Sequence, residues 1–179
     1  MHVVKNWFLL VILAVLGGCT GVPEGINPVT GFNAERYLGT WYEIARLDHS
    51  FERGLSNVRA EYSRNDDGSI KVINRGYNAE EGQWDVADGR AVFVGDENTG
   101  HLKVSFFGPF YASYVVFQLD KEAYSYAYVT GYNRDYLWFL SRTPEVSEEA
   151  IEAFKARARA EEFDLEELIM VEQDRALSP

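Results

Sequence analysis

The chain of 179 residues holds one cysteine, Cys19, and three histidines, and these scarce side chains bound the chemistry it can carry. A single thiol forms no intramolecular disulfide and no multi-thiolate zinc site, so stability has to come from packing. Beyond the N-terminal segment the histidines are His49 and His101, which fall in different loops or strand ends. No His-x-Glu-x-x-His or clustered ligand set accompanies them. Glu43 is the acid best placed to face inward, and paired acid–base work needs two such groups. These counts predict a protein that is not an enzyme and needs no cofactor. With 28 acidic against 17 basic residues, a net charge of −11 and a pI near 4.7, the chain also lacks the clustered Lys and Arg that nucleic-acid phosphates require.

The setting of Cys19 gives it a chemistry of its own. Lys5 precedes a continuous apolar run from Trp7 to Leu16, which ends in Leu16-Gly17-Gly18 directly before the cysteine. A basic start, a short apolar run and a small-residue exit describe a secretory signal peptide over residues 1–18. The run is well short of the ~20 residues that span a bilayer as a helix. Leu-Gly-Gly-Cys resembles the bacterial lipobox, which implies that the Cys19 thiol is the attachment point for a lipid. In that pattern a residue other than Asp after the cysteine, here Thr20, implies export to the outer membrane, with the folded domain in the periplasm. Removal of the signal leaves the chain one charge more acidic, so bulk attraction to an anionic membrane surface would not hold it there. The acyl chains would have to.

The mature chain then divides in two. Residues 19–34 carry Gly21, Pro23, Gly25, Pro28 and Gly31, a spacing that predicts a flexible lipidated tether. Residues 35–175 show no composition break and no repeat, and at 46% hydrophobic and 15% aromatic content the chain can bury a core. Period-two hydrophobicity runs from Gly39 to Thr143, broken by turns such as Asn65-Asp66-Asp67-Gly68 and Asp96-Glu97-Asn98-Thr99-Gly100. This predicts eight strands: 40–47, 57–64, 69–78, 83–94, 101–107, 111–120, 125–132 and 135–143. The later strands are apolar on both faces and need a cover. Glu148–Glu161 supplies one, with Ser147 as N-cap and Ile151, Phe154 and Ala158 as its apolar stripe. Leu168–Val171 reads as a short final strand. The economical architecture is all-β: an eight-stranded antiparallel up-and-down barrel with a C-terminal α-helix packed outside.

Gly39-Thr40-Trp41-Tyr42 and, far downstream, Ser141-Arg142-Thr143-Pro144 carry a resemblance. With Phe51-Glu52-Arg53-Gly54 and Lys103-Val104-Ser105-Phe106-Phe107-Gly108-Pro109-Phe110, they make the segment Glu35–Gln173 similar to the lipocalins. Within that family it resembles the bacterial outer-membrane lipocalins related to apolipoprotein D and plant temperature-induced lipocalins. One family motif is weak, since the Thr-Asp-Tyr turn reads Leu119-Asp120-Lys121. The resemblance implies that Trp41 and Arg142 meet at the closed end of the barrel, with Gly39 completing the structural signature. It also implies an interior that holds a lipid.

If Trp41 points inward, strand alternation places Glu43 inward as well. The same parity selects Tyr62, Asn74, Phe106 and Trp138 as ligand-binding candidates, with Tyr114 and Tyr128 on strands whose parity is undecided. Arg53, in the long first loop, is a candidate for a carboxylate or phosphate at the mouth. The function expected is storage or transport of fatty acids or lysophospholipids at the outer membrane, in membrane biogenesis or maintenance. The alternative is a structural lipoprotein with a filled barrel, making protein contacts or a homodimer through apolar residues such as Phe110 or Tyr111 near the Gly108-Pro109 turn.

Overall fold

The structure is a computed structural model that describes residues 20–175. The expected signal peptide and Cys19 lie outside the described residues. Alternating apolar and polar side chains give eight antiparallel strands: β1 (Gly39–Arg46), β2 (Leu55–Arg64), β3 (Ile70–Asn78), β4 (Gln83–Phe93), β5 (His101–Phe107), β6 (Phe110–Leu119), β7 (Tyr126–Thr130) and β8 (Leu137–Ser141). Each pairs with its sequence neighbour, and β1 closes the sheet by pairing with both β8 and β2. Two further elements flank the barrel: helix α1 (Ala34–Tyr37) before β1, and helix α2 (Glu148–Ala160), followed by the short strand β9 (Ile169–Met170). In an up-and-down barrel the connections after odd strands share one end. Here these are 47–54, 79–82, 108–109 and 131–136.

The opposite end is plugged. Asn33 caps α1 by accepting from the Arg36 N–H, and the buried Phe32 and Tyr37 rings close the barrel floor beside Trp41. Residues 20–33 therefore differ from the flexible tether their glycines and prolines predict. Val29 exchanges backbone hydrogen bonds with Val116 and Gly100, Phe32 donates to the Asn98 carbonyl, and Ile26 and Phe32 are buried. The prolines and glycines prevent regular structure, but irregularly spaced apolar anchors hold the segment to the wall.

Two faces of β6, β7 and β8 are apolar because both are covered. One faces the barrel axis, and the other faces α2, where Phe154 stacks on Phe139 at 5.0 Å and meets Tyr128 edge-on at 4.9 Å. Ser147 caps α2 by accepting from the Ala150 N–H. Tyr128 is thus on the outer wall and is no lumen residue, contrary to its candidacy. Phe117 points outward among the residues under α2, and a register shift between Val116 and Gln118 returns Leu119 to the inner cluster, so simple alternation fails on the strand that pairs with β7.

A clamp ties the closed end together. The Arg142 guanidinium lies 3.9 Å over the Trp41 ring and donates to the carbonyls of Arg36 (2.7 Å), Thr40 (2.9 Å) and Tyr124 (3.2 Å). Gly39, at φ +95°, lets the chain turn into β1, and a Cβ there would stand 3.3 Å from the same guanidinium. The Trp41 indole N–H donates to the Tyr37 carbonyl at 2.8 Å. One planar cation thereby satisfies carbonyls from three separate segments while covering an aromatic face. Arg142→Ala should lower unfolding stability by about 2–4 kcal/mol in chemical denaturation. Arg142→Lys should recover less than half of that loss, because a point ammonium cannot serve three carbonyls in one plane. Full recovery by lysine would show that charge alone matters.

Candidate ligand-binding site

The lumen is graded along its length. Toward the floor the inward side chains Ile70, Val72, Leu102 and Val116 are buried. Toward the mouth Asn74, Val104, Phe106 and Trp138 face the same interior yet remain partly exposed. The mouth half of the interior, called the chamber below, is open to solvent at its rim. Phe106 lies along the wall over Gly89 of the neighbouring strand, where a Cβ would come within 2.6 Å of the ring.

Three phenols form a connected set above the floor plug. The hydroxyls of Tyr37, Tyr114 and Tyr62 make a chain with spacings of 2.7 and 3.0 Å. Burial is the main cause that pushes all three phenols above their ordinary range. Asn74 offers a buried Oδ1 that has no hydrogen-bond partner among the described residues, an acceptor left for water or a ligand hydroxyl.

At the mouth the first loop is held down by buried charges. A register shift between Glu43 and Ala45 turns Ala45 outward beside Ile44 under α2 and turns Arg46 inward, so both Glu43 and Arg46 lie on the lumen side. Arg46 meets Glu43 at 2.6 Å and donates to the loop carbonyls of Glu52 (2.9 Å) and Leu55 (3.0 Å). Glu52, itself buried, sits 3.0 Å from His49 Nε2 and accepts from the Trp138 indole N–H at 3.1 Å. His49 stacks on Phe51 at 3.9 Å, and Tyr136 extends the stack over Trp138. Loop 47–54 is therefore a lid clasped to the barrel by Arg46, Glu52 and Trp138. Burial, with the adjacent Glu52 carboxylate, raises the Glu43 carboxyl well above the usual range, against the lowering effect of Arg46.

The far side of this region is sealed by the C-terminal segment. β1 pairs with β2 only through Tyr42, and beyond it Ala45 and Arg46 pair with β9. The gap is bridged by Gln173, whose side-chain amide donates to the Glu43 and Val58 carbonyls at 2.8 and 2.9 Å. Asn57, at φ +54°, docks the segment further through Glu172, Asp174 and Arg175.

Of the sequence candidates, Asn74, Phe106 and Trp138 face the mouth half, Tyr62 and Tyr114 join Tyr37 above the floor plug, and Glu43 borders the mouth as part of an ion pair. Two candidates lie elsewhere. Tyr128 is under α2, where burial pushes its phenol up to about 12. Arg53 is on the exposed side of the lid and is bound by Asp48, with Nη2 2.5 Å from Oδ2, so it is no free cation for a ligand. Sequence reading missed Arg46, His49 and Glu52, because Arg46 faces inward only through the bulge. A clue was present in the charged and aromatic residues between Arg46 and Arg53, which exceed what a plain surface loop needs.

A closed up-and-down barrel, plugged at one end and lidded at the other, is a small-ligand-binding barrel. The family model described as a Lipocalin-like domain matches residues 32–173. The chain belongs to the lipocalin family. It is 55% identical over 166 residues to the outer membrane lipoprotein Blc of Vibrio cholerae, covering 93% of this chain and 97% of that protein. It is 54% identical to the outer membrane lipoprotein Blc of Escherichia coli K12, covering 84% and 85%. Temperature-induced lipocalin-1 of Arabidopsis thaliana is 34% identical over 78% of each chain. Among solved structures, insecticyanin from the tobacco hornworm Manduca sexta shares the fold, with a TM-score of 0.67 at 19% identity over 85% of this chain and 86% of that one.

The raised Glu43 carboxyl has a definite sign. A group whose folded pKa exceeds its unfolded value contributes stability below the unfolded value of about 4.3, and loses it as pH rises through the folded value. Relative to the native chain, Glu43→Gln should therefore gain stability as pH rises from 4 to 8. Denaturant midpoints at both pH values for both proteins check this, and a difference that does not change with pH would refute it.

Proposed function

We propose that this lipocalin is a lipid-binding lipoprotein of the outer membrane, held there by acylation of Cys19, which stores or transports a fatty acid or lysophospholipid in the chamber beneath the lid. The observation that carries this reading is the exposure gradient of the inward residues, packed at the floor and open from Asn74 to Trp138. Burial of an acyl chain against Val104, Phe106 and Tyr62 supplies the drive at about 25 cal/mol per Å² of apolar area. The names of the Blc relatives, as outer membrane lipoproteins, support the location and the anchor.

Charge favours the lysophospholipid of the two ligands. Arg46 is the cation at the lumen side, and its hydrogen bonds go to Glu43 and to two lid carbonyls. A fatty carboxylate entering head first would approach the carboxyl groups of Glu43 and Glu52, and the Arg46 charge there is already paired with Glu43. A lysophospholipid entering tail first keeps its phosphate outside the mouth and places its glycerol hydroxyl within the reach of polar groups such as Asn74.

Delipidation of the purified protein followed by titration with lysophospholipid tests this, and a folded sample without saturable binding would exclude the carrier role. Phe106→Ser should weaken the affinity about tenfold, the equivalent of 1.4 kcal/mol, because it removes an apolar wall of the chamber. Tyr128→Phe, on the outer wall, should leave affinity unchanged. Equal effects of the two substitutions would place the ligand elsewhere.

A further inference from the structure

The β5–β6 hairpin is unlike the rest of the molecule. In a chain with 28 acidic residues, the span His101–Leu119 contains no Asp or Glu, and Lys103 is its lysine. Its tip exposes two facing phenylalanines, Phe107 at 82% and Phe110 at 76%, which are cross-strand partners. A register shift between Val104 and Phe107 lies just before the tip, where Phe106 packs on the inner cluster and the next ring stands in solvent. On the outer face Lys103 reaches over the Tyr111 ring, 5.1 Å from its centroid.

The N-terminal segment ends its described course on this same hairpin. The Thr20 carbonyl is 3.1 Å from His101 Nε2, and Ser113 Oγ donates to the Gly21 carbonyl at 2.6 Å. Ser113 is three residues from Phe110, or roughly 10 Å along the strand. Thr20 and Gly21 are thereby pinned to the flank of the hairpin whose tip is apolar and whose charge is not negative.

We infer that the tip of the β5–β6 hairpin docks on the lipid surface, with Phe107 and Phe110 entering the apolar boundary and Tyr111 and Lys103 at the level of the headgroups. This rests on the reading of Cys19 as the lipid anchor. Two exposed aromatics backed by a Tyr and a Lys match the groups that partition to a membrane interface. The absence of local carboxylates removes the repulsion that the rest of this acidic surface would meet at an anionic bilayer. The hairpin tip belongs to the same end of the barrel as the lid. Docking there turns the mouth toward the bilayer from which a lipid ligand would come, and keeps the acidic β3–β4 turn at Glu80 and Glu81, elsewhere on the rim, from setting the orientation.

The test uses the full chain purified from membranes and reconstituted into phosphatidylethanolamine–phosphatidylglycerol vesicles. Cysteines introduced singly as Phe107→Cys, Phe110→Cys and Glu80→Cys carry an environment-sensitive fluorophore, and nitroxide-labelled lipids serve as quenchers. The labels at positions 107 and 110 should be quenched at least threefold more strongly than that at 80. Adding Phe110→Glu should reduce quenching at 107 to the level of 80. Equal quenching at the three positions in vesicle-bound protein overturns the docking and leaves the anchor reading intact. Failure of every variant to bind vesicles, with Cys19 unmodified by mass spectrometry, overturns both. Shielding of the label at 107 that grows with protein concentration without vesicles assigns the tip to a second copy of the chain and also overturns the proposal.

Discussion

One extra residue in the first strand organises the upper half of this barrel. Without the bulge at Ile44, strict alternation would set Glu43 and Ala45 toward the lumen and Arg46 toward solvent. With it, Glu43 and Arg46 both face inward, three residues apart and paired, while Ile44 and Ala45 join the apolar cluster under α2. The same bulge leaves the Ile44 carbonyl free to accept from Val171 and frees the upper edge of β1 for β9. The helix, the C-terminal seal and the lid clasp thus all depend on a local departure from the sheet's own rule.

The two ends of the barrel use arginine for opposite purposes. Arg142 at the floor saturates backbone carbonyls and covers Trp41, a contact with nothing left over for a ligand. Arg46 at the mouth also spends its donors on carbonyls, but these belong to the lid, and its carboxylate partner lies beside a second one. Two acids, one arginine and one histidine in a buried place are expensive to separate and awkward to keep together. Such a cluster suits a clasp that must hold the loop in one position while leaving Trp138, on which the loop rests, available to the chamber. The solid floor and the accessible upper half follow from the same division: Phe32, Tyr37 and Trp41 fill one end, and a lid that is only hydrogen-bonded and stacked covers the other.

Much of this was legible in the sequence. Period-two patterning located eight strands with boundaries mostly within two residues of those observed, because one face of each strand is buried and the turns carry residues that accept left-handed backbone. Gly39, Trp41 and Arg142 were legible through the lipocalin resemblance, which implied that they meet at the closed end. Parity was legible on β2, β3 and β5, whose outer faces are wet. It failed for Tyr128, since both faces of β7 are apolar and the Phe117 bulge erases the phase on its neighbour β6. The clasp was illegible for a related reason: no pattern in Glu43-Ile44-Ala45-Arg46 says that the strand gains a residue there. The tether was misread because proline and glycine report which regular structures are forbidden and say little about whether an irregular segment is packed.

That packing changes what an N-terminal anchor would do mechanically. A free segment of a dozen residues would let the barrel sample many orientations, with its net negative charge favouring those that keep it away from anionic headgroups. Val29 and Phe32 hydrogen-bonded into the wall, with Gly21 held by Ser113, remove most of that reach. A short leash restricts the molecule to the surface near its attachment and to the side on which the leash emerges. In this fold that side is the acid-free hairpin. The Pro/Gly-rich N-terminal segment, the uneven distribution of carboxylates and the position of the mouth therefore bear on one physical problem, the presentation of an acidic lipid-binding barrel to a bilayer that repels most of its surface.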